Sequence, residues 1–173
     1  MSNDRILENN QECTVDENRP KFPKRAIITA GMPYGNKELH FGHVGGVFIH
    51  ADAFTRFMRD RIGKENVIFV SGTDCYGSPI LENYRQLVSN GSFEGTIDDF
   101  VKSNHEKQKE VLQSYNIDLN LFAASSMGRA AEIHRELSSL FIKRLYDNGH
   151  LVKMTTSQFY DAELGVFLNG RQV

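Results

Sequence analysis

The feature that most constrains the fold of this chain is a turn motif at residues 33–43, which reads Pro-Tyr-Gly-Asn-Lys-Glu-Leu-His-Phe-Gly-His. A β-type run at residues 26–30 precedes the motif, and apolar residues recur at helical spacing after it, to about residue 61. A strand that turns directly into a helix leaves backbone N–H groups and the positive end of the helix dipole at the turn. The motif therefore predicts a site for the phosphates of a nucleotide, which we interpret as an adenine nucleotide.

Length and composition indicate a globular protein. The 173 residues, with 40% hydrophobic and 24% charged side chains, suit one domain or the first half of a larger one. No apolar run approaches the ~18 residues of a membrane span, and the acidic, Asn-rich start does not resemble a signal peptide, so we expect a cytoplasmic protein without a membrane partner. The formal net charge of −2 argues against strong non-specific binding of nucleic acid. Cys13 and Cys75 do not form a C-x-x-C pair, so we expect neither a disulfide nor a zinc site.

Strand and helix patterns alternate along the chain. After a flexible polar extension at residues 1–24, the patterns predict the elements that follow. Strands are expected at 26–30, 67–70 and 117–122, helices at 44–61, 78–88, from a Thr96 cap onward and at 128–148, and a hairpin at 151–168. The alternation predicts an α/β fold with a doubly wound, Rossmann-like parallel sheet, of which residues 25–150 form the first half. The apolar run at 67–70 is typical of a strand buried on both faces.

Helical spacing also predicts which side chains face the core. Charged residues Lys102, His105, Lys107 and Lys109 alternate with glutamates and indicate a solvated face on the helix that follows Thr96. The expected inward positions are Val44, Val47, Phe48, Ala51, Phe54, Phe57 and Met58 on the first helix, Ile97, Phe100, Val101, Val111 and Leu112 on the third, and Ile133, Leu137, Leu140, Phe141 and Leu145 on the last.

Two histidines stand at the start of the first helix. His40 and His43 are three residues apart and therefore share one face of the first turn. Gly42 removes a side chain where a base or phosphate would approach the backbone. This arrangement suits stabilisation of negative charge on a phosphate under nucleophilic attack. The alternative is that the two imidazoles only cap and solvate the helix end.

A second motif, Gly-Thr-Asp-Cys-Tyr-Gly-Ser-Pro at residues 72–79, follows the second strand. The carboxyl ends of parallel strands face the ligand crevice, so Asp74 is placed to bind a cation such as an α-ammonium group. Alternatively, Asp74 is a turn residue that caps the helix beginning at Ser78. Cys75 has no His or acidic partner at a supporting spacing, so we interpret it as a small passive side chain.

Together these motifs resemble the first part of the methionyl-tRNA synthetases, which are class I aminoacyl-tRNA synthetases. The resemblance runs through residues 25–173. It is carried by Pro33-Tyr34-x-Asn36-x-x-Leu39-His40-x-Gly42-His43, Ala51-Asp52 with Arg56 and Arg59, Gly72-Thr73-Asp74-x-x-Gly77, residues 133–149, Thr156-Ser157-Gln158-x-Tyr160 and Phe167-Leu168-x-x-Arg171.

The resemblance implies a class I synthetase fold and ATP-dependent activation of methionine to an adenylate, followed by transfer to tRNA. His40 and His43 would bind the phosphates of ATP, which carries Mg²⁺ as its counter-ion. Gly42 would contact the adenine, and Asn36 would also belong to the ATP site. The methionine site would be lined by Gly31, Met32 and Tyr34, with Asp74 binding the ammonium group. Residues 151–173 would begin the connective insertion of the family.

This sequence departs from the family pattern at several positions. Cys75-Tyr76 replaces a frequent Glu-His, Lys37 a common Gly or Ala, and Asp161 and Leu164 a Cys pair that begins a zinc knuckle. The Lys-Met-Ser-Lys-Ser loop and the tRNA-binding helical domain are not in the sequence. We therefore expect a fragment or truncated paralogue with little activity alone, which meets tRNA through other parts.

Two other classes remain open on the residues alone. One is a non-enzymatic, regulatory protein that binds an adenine nucleotide or pairs with a second chain that completes its sheet. The other is a small nucleotidyltransferase, since such enzymes share the H-x-G-H turn, although the Ser/Thr-rich loop ending in Arg that they carry is not recognisable here.

Overall fold

The computed structural model describes residues 21–163 and 165–168. Most of the predicted extension, Cys13, Leu164 and Arg171 lie outside these residues. A parallel sheet in the order β1-β2-β3 is formed by β1 (Ala26–Thr29), β2 (Val67–Thr73) and β3 (Leu121–Ala124). The predicted α/β fold with a Rossmann-like parallel sheet is confirmed.

The helices follow the predicted order. Their bounds are α1 (Phe41–His43), a π-helical stretch (Val44–Phe48), α2 (Ile49–Ile62), a short 3₁₀ turn (Lys64–Asn66), α3 (Ser78–Ser89), α4 (Ile97–Ser114) and α5 (Gly128–Asp147). The predicted hairpin is present with a shorter first arm, as β4 (Phe159–Asp161) pairs antiparallel with β5 (Val166–Leu168). Among the residues described, no helix is both long and apolar enough to cross a membrane.

The first helix carries a π-helical stretch that the sequence pattern did not predict. Val44 and Phe48 are buried as expected, but beyond the stretch the buried positions are Asp52, Thr55, Met58 and Arg59. The predicted inward residues Phe54 and Phe57 are instead 53% and 42% exposed. A π-helical turn holds one more residue than an α-helical turn, so it rotates the face that follows by about one position. The α-helical period was therefore right for Met58, which is buried as predicted, and wrong for Phe54 and Phe57.

The core lies on one face of the sheet. One cluster joins Phe48 and Leu112 to Phe69, and a second joins Ile80, Phe100 and Val101 to Ala124. The opposite face is open among the described residues, with Ile27 73%, Ile68 46% and Leu121 56% exposed. The expectation that residues 67–70 are buried on both faces is therefore wrong for the described structure.

The last helix is also open along its predicted inward face. Only Ala131 is buried among the residues of α5. The exposed apolar positions include Ile133, Leu137, Leu140, Phe141 and Leu145, all at least 40% exposed. Their assignment to the core was wrong for these residues, because the main contact of α5 with another described element is with the short strand β3.

The third strand begins four residues later than predicted. Ile117 and Leu119 do not pair with β2 but pack sideways against the Phe48–Leu112 cluster. Asn120 starts the pairing, since its N–H donates to Phe69 O at 2.8 Å and its Oδ1 accepts from Phe69 N at 2.8 Å. The predicted cap at Thr96 is confirmed as a reciprocal capping box with Asp99. Gly149 adopts φ 74° just after α5, as predicted for a helix stop.

Candidate functional site

The two sequence motifs meet where the strands end. Gly35 N–H donates to Asp74 O at 2.7 Å, and Asp74 N–H donates to Pro33 O at 2.8 Å. These bonds make a parallel bridge between Tyr34 and Asp74, which extends the pairing of β1 and β2 into the turn. The Asp74 carboxylate accepts from Tyr76 N–H at 3.1 Å through Oδ1. The structure therefore places the predicted ammonium-binding carboxylate beside Tyr34, a predicted wall of the methionine site.

His40 and His43 form a closely packed pair. Their ring centroids are 3.8 Å apart. His40 Nδ1 accepts from Gly42 N–H at 3.1 Å, and His43 Nδ1 accepts from His40 N–H at 3.3 Å. A backbone N–H can only donate, so both Nδ1 atoms are unprotonated and each neutral ring carries its proton on Nε2. The pair therefore caps the helix through Nδ1 and keeps one N–H donor per ring for other partners.

The electrostatics around His43 favour its neutral ring. Burial, together with the nearby His40 and Lys37, lowers the pKa of His43 below its ordinary value. Protonation at Nδ1 would also remove the acceptor that caps the helix. The pair therefore offers hydrogen-bond donors at neutral pH rather than two imidazolium charges.

Gly42 has a structural role that the sequence did not reveal. A Cβ at this position would lie 3.0 Å from Cε1 and 3.1 Å from Nδ1 of His40. Any other residue would therefore press on the ring that caps the helix. The capping alternative considered for the histidines is present in the structure, and it leaves both Nε2 atoms available.

Two clefts flank the turn. A cavity of about 550 Å³ beside His40 is also lined by Asn36, Lys37 and Lys107. The Oδ1 atom of Asn36 is buried and accepts no hydrogen bond from the residues that the structure describes. A second cavity of about 270 Å³, on the open face of the sheet, is lined by Met32 among others. Met32 and Tyr34 are 49% and 47% exposed, and Gly31 is exposed beside them.

Polar side chains on α3 and α4 hold the turn from behind, and sequence reasoning missed them. Asn83, Asn104 and Gln108 donate to carbonyl oxygens of residues 34–37. His105, predicted on a solvated face, is instead 8% exposed and stacks on Phe122 with ring centroids 5.3 Å apart. The spacing of the sequence could have indicated that these side chains are buried, since they fall on one helical face with two apolar residues. That face consists of residues 101, 104, 105, 108 and 112.

The Ala51-Asp52 segment and its arginines connect α2 to the approach of β3. Asp52 Oδ1 accepts from Asp118 N–H at 2.8 Å, and its Oδ2 lies 2.6 Å from Arg56 Nε. Arg59 donates to Asp118 Oδ2 and to Asn120 Oδ1, both at 2.7 Å. Because Asn120 also binds the backbone of β2, these arginines fix the sheet rather than contribute to the turn.

Cys75 and Tyr76 occupy different environments. Cys75 is 8% exposed within the core cluster of Ile80 and Phe100. Its Sγ donates to Thr73 O at 3.4 Å, in keeping with the small passive side chain expected from the sequence. Tyr76 is 54% exposed and stacks near His134, with ring centroids 6.1 Å apart.

Known proteins resemble this chain in sequence and in fold. The family model of tRNA synthetases class I (M) matches residues 26–173. The methionine–tRNA ligase of Bacteroides fragilis is 33% identical over 151 residues, which are 87% of this chain and 20% of that ligase. The methionine–tRNA ligase of Pyrococcus abyssi is 36% identical over 149 residues, 86% of this chain and 19% of that ligase. This chain therefore spans about a fifth of the length of these relatives.

The fold also matches a solved structure, that of Mycobacterium tuberculosis methionyl-tRNA synthetase in complex with methionyl-adenylate. The TM-score is 0.66 at 23% identity, and the match covers 86% of this chain and 27% of that one. The resemblance drawn from the turn motifs is thus confirmed along most of the sequence. The chain belongs to the tRNA synthetases class I (M), the family of the methionyl-tRNA synthetases.

Proposed function

We propose that this chain provides the nucleotide- and methionine-binding half of a methionine–tRNA ligase. Such a ligase activates methionine with ATP to methionyl-adenylate and transfers the methionyl group to tRNA. The observation that carries the proposal is that one segment, residues 33–43, holds the Tyr34–Asp74 bridge at its start and the His40–His43 pair at its end. Membership of the family supports the proposal, and this chain corresponds to 20% of the length of the Bacteroides fragilis ligase.

The histidines are proposed to bind the phosphates of ATP. Each ring has Nδ1 engaged in the helix cap and Nε2–H free to donate to a phosphate oxygen. Charge that develops on the phosphates during adenylate formation would strengthen such bonds in the transition state. Gly42 is proposed to contact the adenine and Asn36 to complete the nucleotide site, with Mg²⁺ arriving as the counter-ion of ATP.

Asp74 is proposed to bind the α-ammonium group of methionine. A charge-assisted hydrogen bond to a carboxylate is roughly twice as strong as one between neutral groups. Gly31, Met32 and Tyr34 would form the wall that faces the substrate. The exposed Met32 and Tyr34 side chains offer apolar and aromatic surface, which suits a thioether.

We further propose that the 173-residue polypeptide by itself forms little or no adenylate. Its sequence has no Lys-Met-Ser-Lys-Ser loop, and Lys153-Met154-Thr155-Thr156-Ser157 lacks the lysine at the fourth position. The donors that stabilise the transition state from the other side of ATP would then be missing. Contact with tRNA, in the cytoplasm, is proposed to use parts outside this sequence.

The open faces support a partner that completes the sheet. Ile27 and Ile68 on the sheet and Phe141 on α5 are 73%, 46% and 61% exposed. Removing apolar surface of this kind from water stabilises the protein or complex that buries it. We propose that further polypeptide, in the same chain or in a second one, pairs beside β1 and covers this face.

Separate calorimetric titrations with ATP and with methionine test the proposed function. We expect heat of binding for each ligand, and pyrophosphate exchange near background with both present. Absence of binding for both ligands in a folded sample would reject the site. Exchange at the rate of an intact synthetase would reject the proposed incompleteness and leave the site assignment standing.

A further inference from the structure

Four consecutive carbonyl oxygens of the turn accept hydrogen bonds from side-chain amides. Gln108 Nε2 donates to Tyr34 O at 2.9 Å and to Lys37 O at 2.8 Å. Asn104 Nδ2 donates to Gly35 O at 3.1 Å, and Asn83 Nδ2 donates to Asn36 O at 2.6 Å. The backbone between β1 and the histidine pair is therefore held from α3 and α4 at every residue from 34 to 37.

Gln108 is the member that reaches both motifs. Its side chain is fully buried, as is that of Thr73 at the end of β2. Both protons of its amide nitrogen point to carbonyl oxygens, so its Oε1 faces Thr73, whose hydroxyl donates to it at 2.8 Å. One amide thus fixes two residues of the first turn against the residue that precedes Asp74.

The direction of these bonds fixes the protonation of His105. The Thr73 hydroxyl has one proton, which is given to Gln108, so it can only accept from His105 Nδ1 at 2.8 Å. His105 therefore carries a proton on Nδ1. The chain of donors runs from His105 through Thr73 to Gln108 and ends at the carbonyls of Tyr34 and Lys37.

The backbone of the turn also packs tightly against α4 and the end of β2. A Cβ at Gly35 would lie 2.8 Å from Cγ1 of Val101 and 3.1 Å from Cγ2 of Thr73. The backbone at Gly35 thus lies directly on α4 and on the end of β2. Movement of α4 relative to the sheet would carry the turn, and with it the histidine pair, away from Asp74.

We propose that Gln108 is a positioning residue for the nucleotide and methionine sites. Its amide sets the turn at residues 34–37 against Thr73, and so holds Tyr34 beside Asp74 and fixes the backbone that leads to His40. Gln108 is buried behind the turn and acts only through the backbone that it holds. This inference rests on the proposed function for its ligands, but its geometric claim concerns the turn itself.

The test compares Gln108→Met with two matched variants of the same helix. Gln108→Met keeps the length of the side chain and removes its donors and acceptor. Gln113→Met makes the same change at an exposed position, and Leu112→Ala weakens the core cluster without removing a donor to the carbonyls of residues 34–37. ATP and methionine affinities are measured by calorimetry at a temperature where circular dichroism shows each variant to be folded. The imidazole titration of His43 is followed by NMR in the same samples.

Positioning predicts that Gln108→Met weakens both affinities about tenfold, the effect of leaving two buried carbonyls without donors. It also predicts that the pKa of His43 moves toward its ordinary value, because the burial of its ring and the nearness of His40 and Lys37 change with the turn. Gln113→Met should leave both readouts unchanged. Leu112→Ala should lower the melting temperature without moving the His43 titration.

Unchanged affinities and an unchanged His43 titration in folded Gln108→Met would overturn the inference, as would equal changes in Leu112→Ala. If the wild-type chain binds neither ligand, the proposed function fails, and the His43 titration alone decides the inference. If Gln108→Met does not fold, Asn83→Ala replaces it. Asn83 is only partly buried and holds Asn36 alone, so a loss of about threefold in ATP affinity is expected, and no change would count against the inference.

Discussion

The ring of His40 lies 3.8 Å from the ring of His43, centroid to centroid, and each ring accepts a backbone N–H at the start of the same helix. The helix cap that the sequence allowed for these histidines is therefore present. One nitrogen of each ring is used for the cap, and the other can donate. A single pair of residues can therefore stabilise the helix end and still bind an anion.

Gly42 should be intolerant of a side chain, whereas Gly46 should tolerate one. A Cβ at Gly42 would meet the His40 ring at 3.0 Å, while a Cβ at Gly46 meets no atom within 4 Å. We expect Gly42→Ala to be about 1–2 kcal/mol less stable than Gly46→Ala, because the cap is lost only in the first. Urea denaturation measures the difference. Equal stabilities would show that the His40 ring does not depend on the glycine.

Stability should fall as the pH is lowered below about 6.5, the ordinary histidine value. Burial lowers the pKa of His105, and burial with neighbouring charge lowers that of His43. As the pH falls, these histidines therefore bind protons in the unfolded chain before they do so in the folded chain. The stabilisation is complete above the pKa of the unfolded chain and is lost as the pH falls toward the lower pKa of the folded chain. Melting temperatures between pH 8 and 5 test this.

The matched variant for the pH dependence is His105→Gln, whose amide can still donate to Thr73 but does not titrate. Its melting temperature should depend less on pH than that of the wild type. If the melting temperature of His105→Gln depends on pH as strongly as that of the wild type, His105 does not contribute to the pH dependence, which is then due to His43.

Asp74→Asn should weaken methionine binding by about tenfold or more, since a charge-assisted bond to the ammonium group is lost. The amide keeps an oxygen that can accept from Tyr76 N–H, so the local turn should persist. ATP affinity should stay the same. Asp98→Asn, at an exposed position of α4, provides the control. A methionine affinity equal in both variants would assign Asp74 to the turn alone.

Arg59→Met should lower the free energy of unfolding by about 2 kcal/mol, because Asp118 and Asn120 lose their partner beside the sheet. Arg135→Met, on the exposed part of α5, should change it by less than about 0.5 kcal/mol. Urea denaturation compares the two. A small effect of Arg59→Met would mean that other contacts hold β3 to β2.

The sequence predicted the order of elements and the meeting of the two motifs, because both depend on local patterns. Strand ends of a parallel sheet lie at one edge, so the proximity of Tyr34 and Asp74 follows from topology. The π-helical stretch was not predictable from an α-helical period, and the shift of the buried face to Asp52 and Thr55 followed from it.

The residues behind the turn were missed for a different reason. His105 and Gln108 look like part of a solvated face because their neighbours Glu106, Lys107 and Lys109 are charged. Only the three-dimensional path of the turn shows carbonyls that need donors, and burial of polar side chains follows from that need. The exposure of the apolar face of α5 could not be predicted either, because the sequence pattern shows that a helix is amphipathic but not whether another element covers its apolar face.

The most direct test is calorimetric titration of ATP into His40→Asn and His50→Asn beside the wild type. Asparagine is a good helix cap, so His40→Asn keeps the helix start and removes only the imidazole, while His50 is an exposed histidine on the same helix. We predict that His40→Asn weakens ATP binding about tenfold at unchanged melting temperature and that His50→Asn binds as the wild type does. Equal ATP affinity in all three proteins would contradict the assignment of the phosphates to the histidine pair.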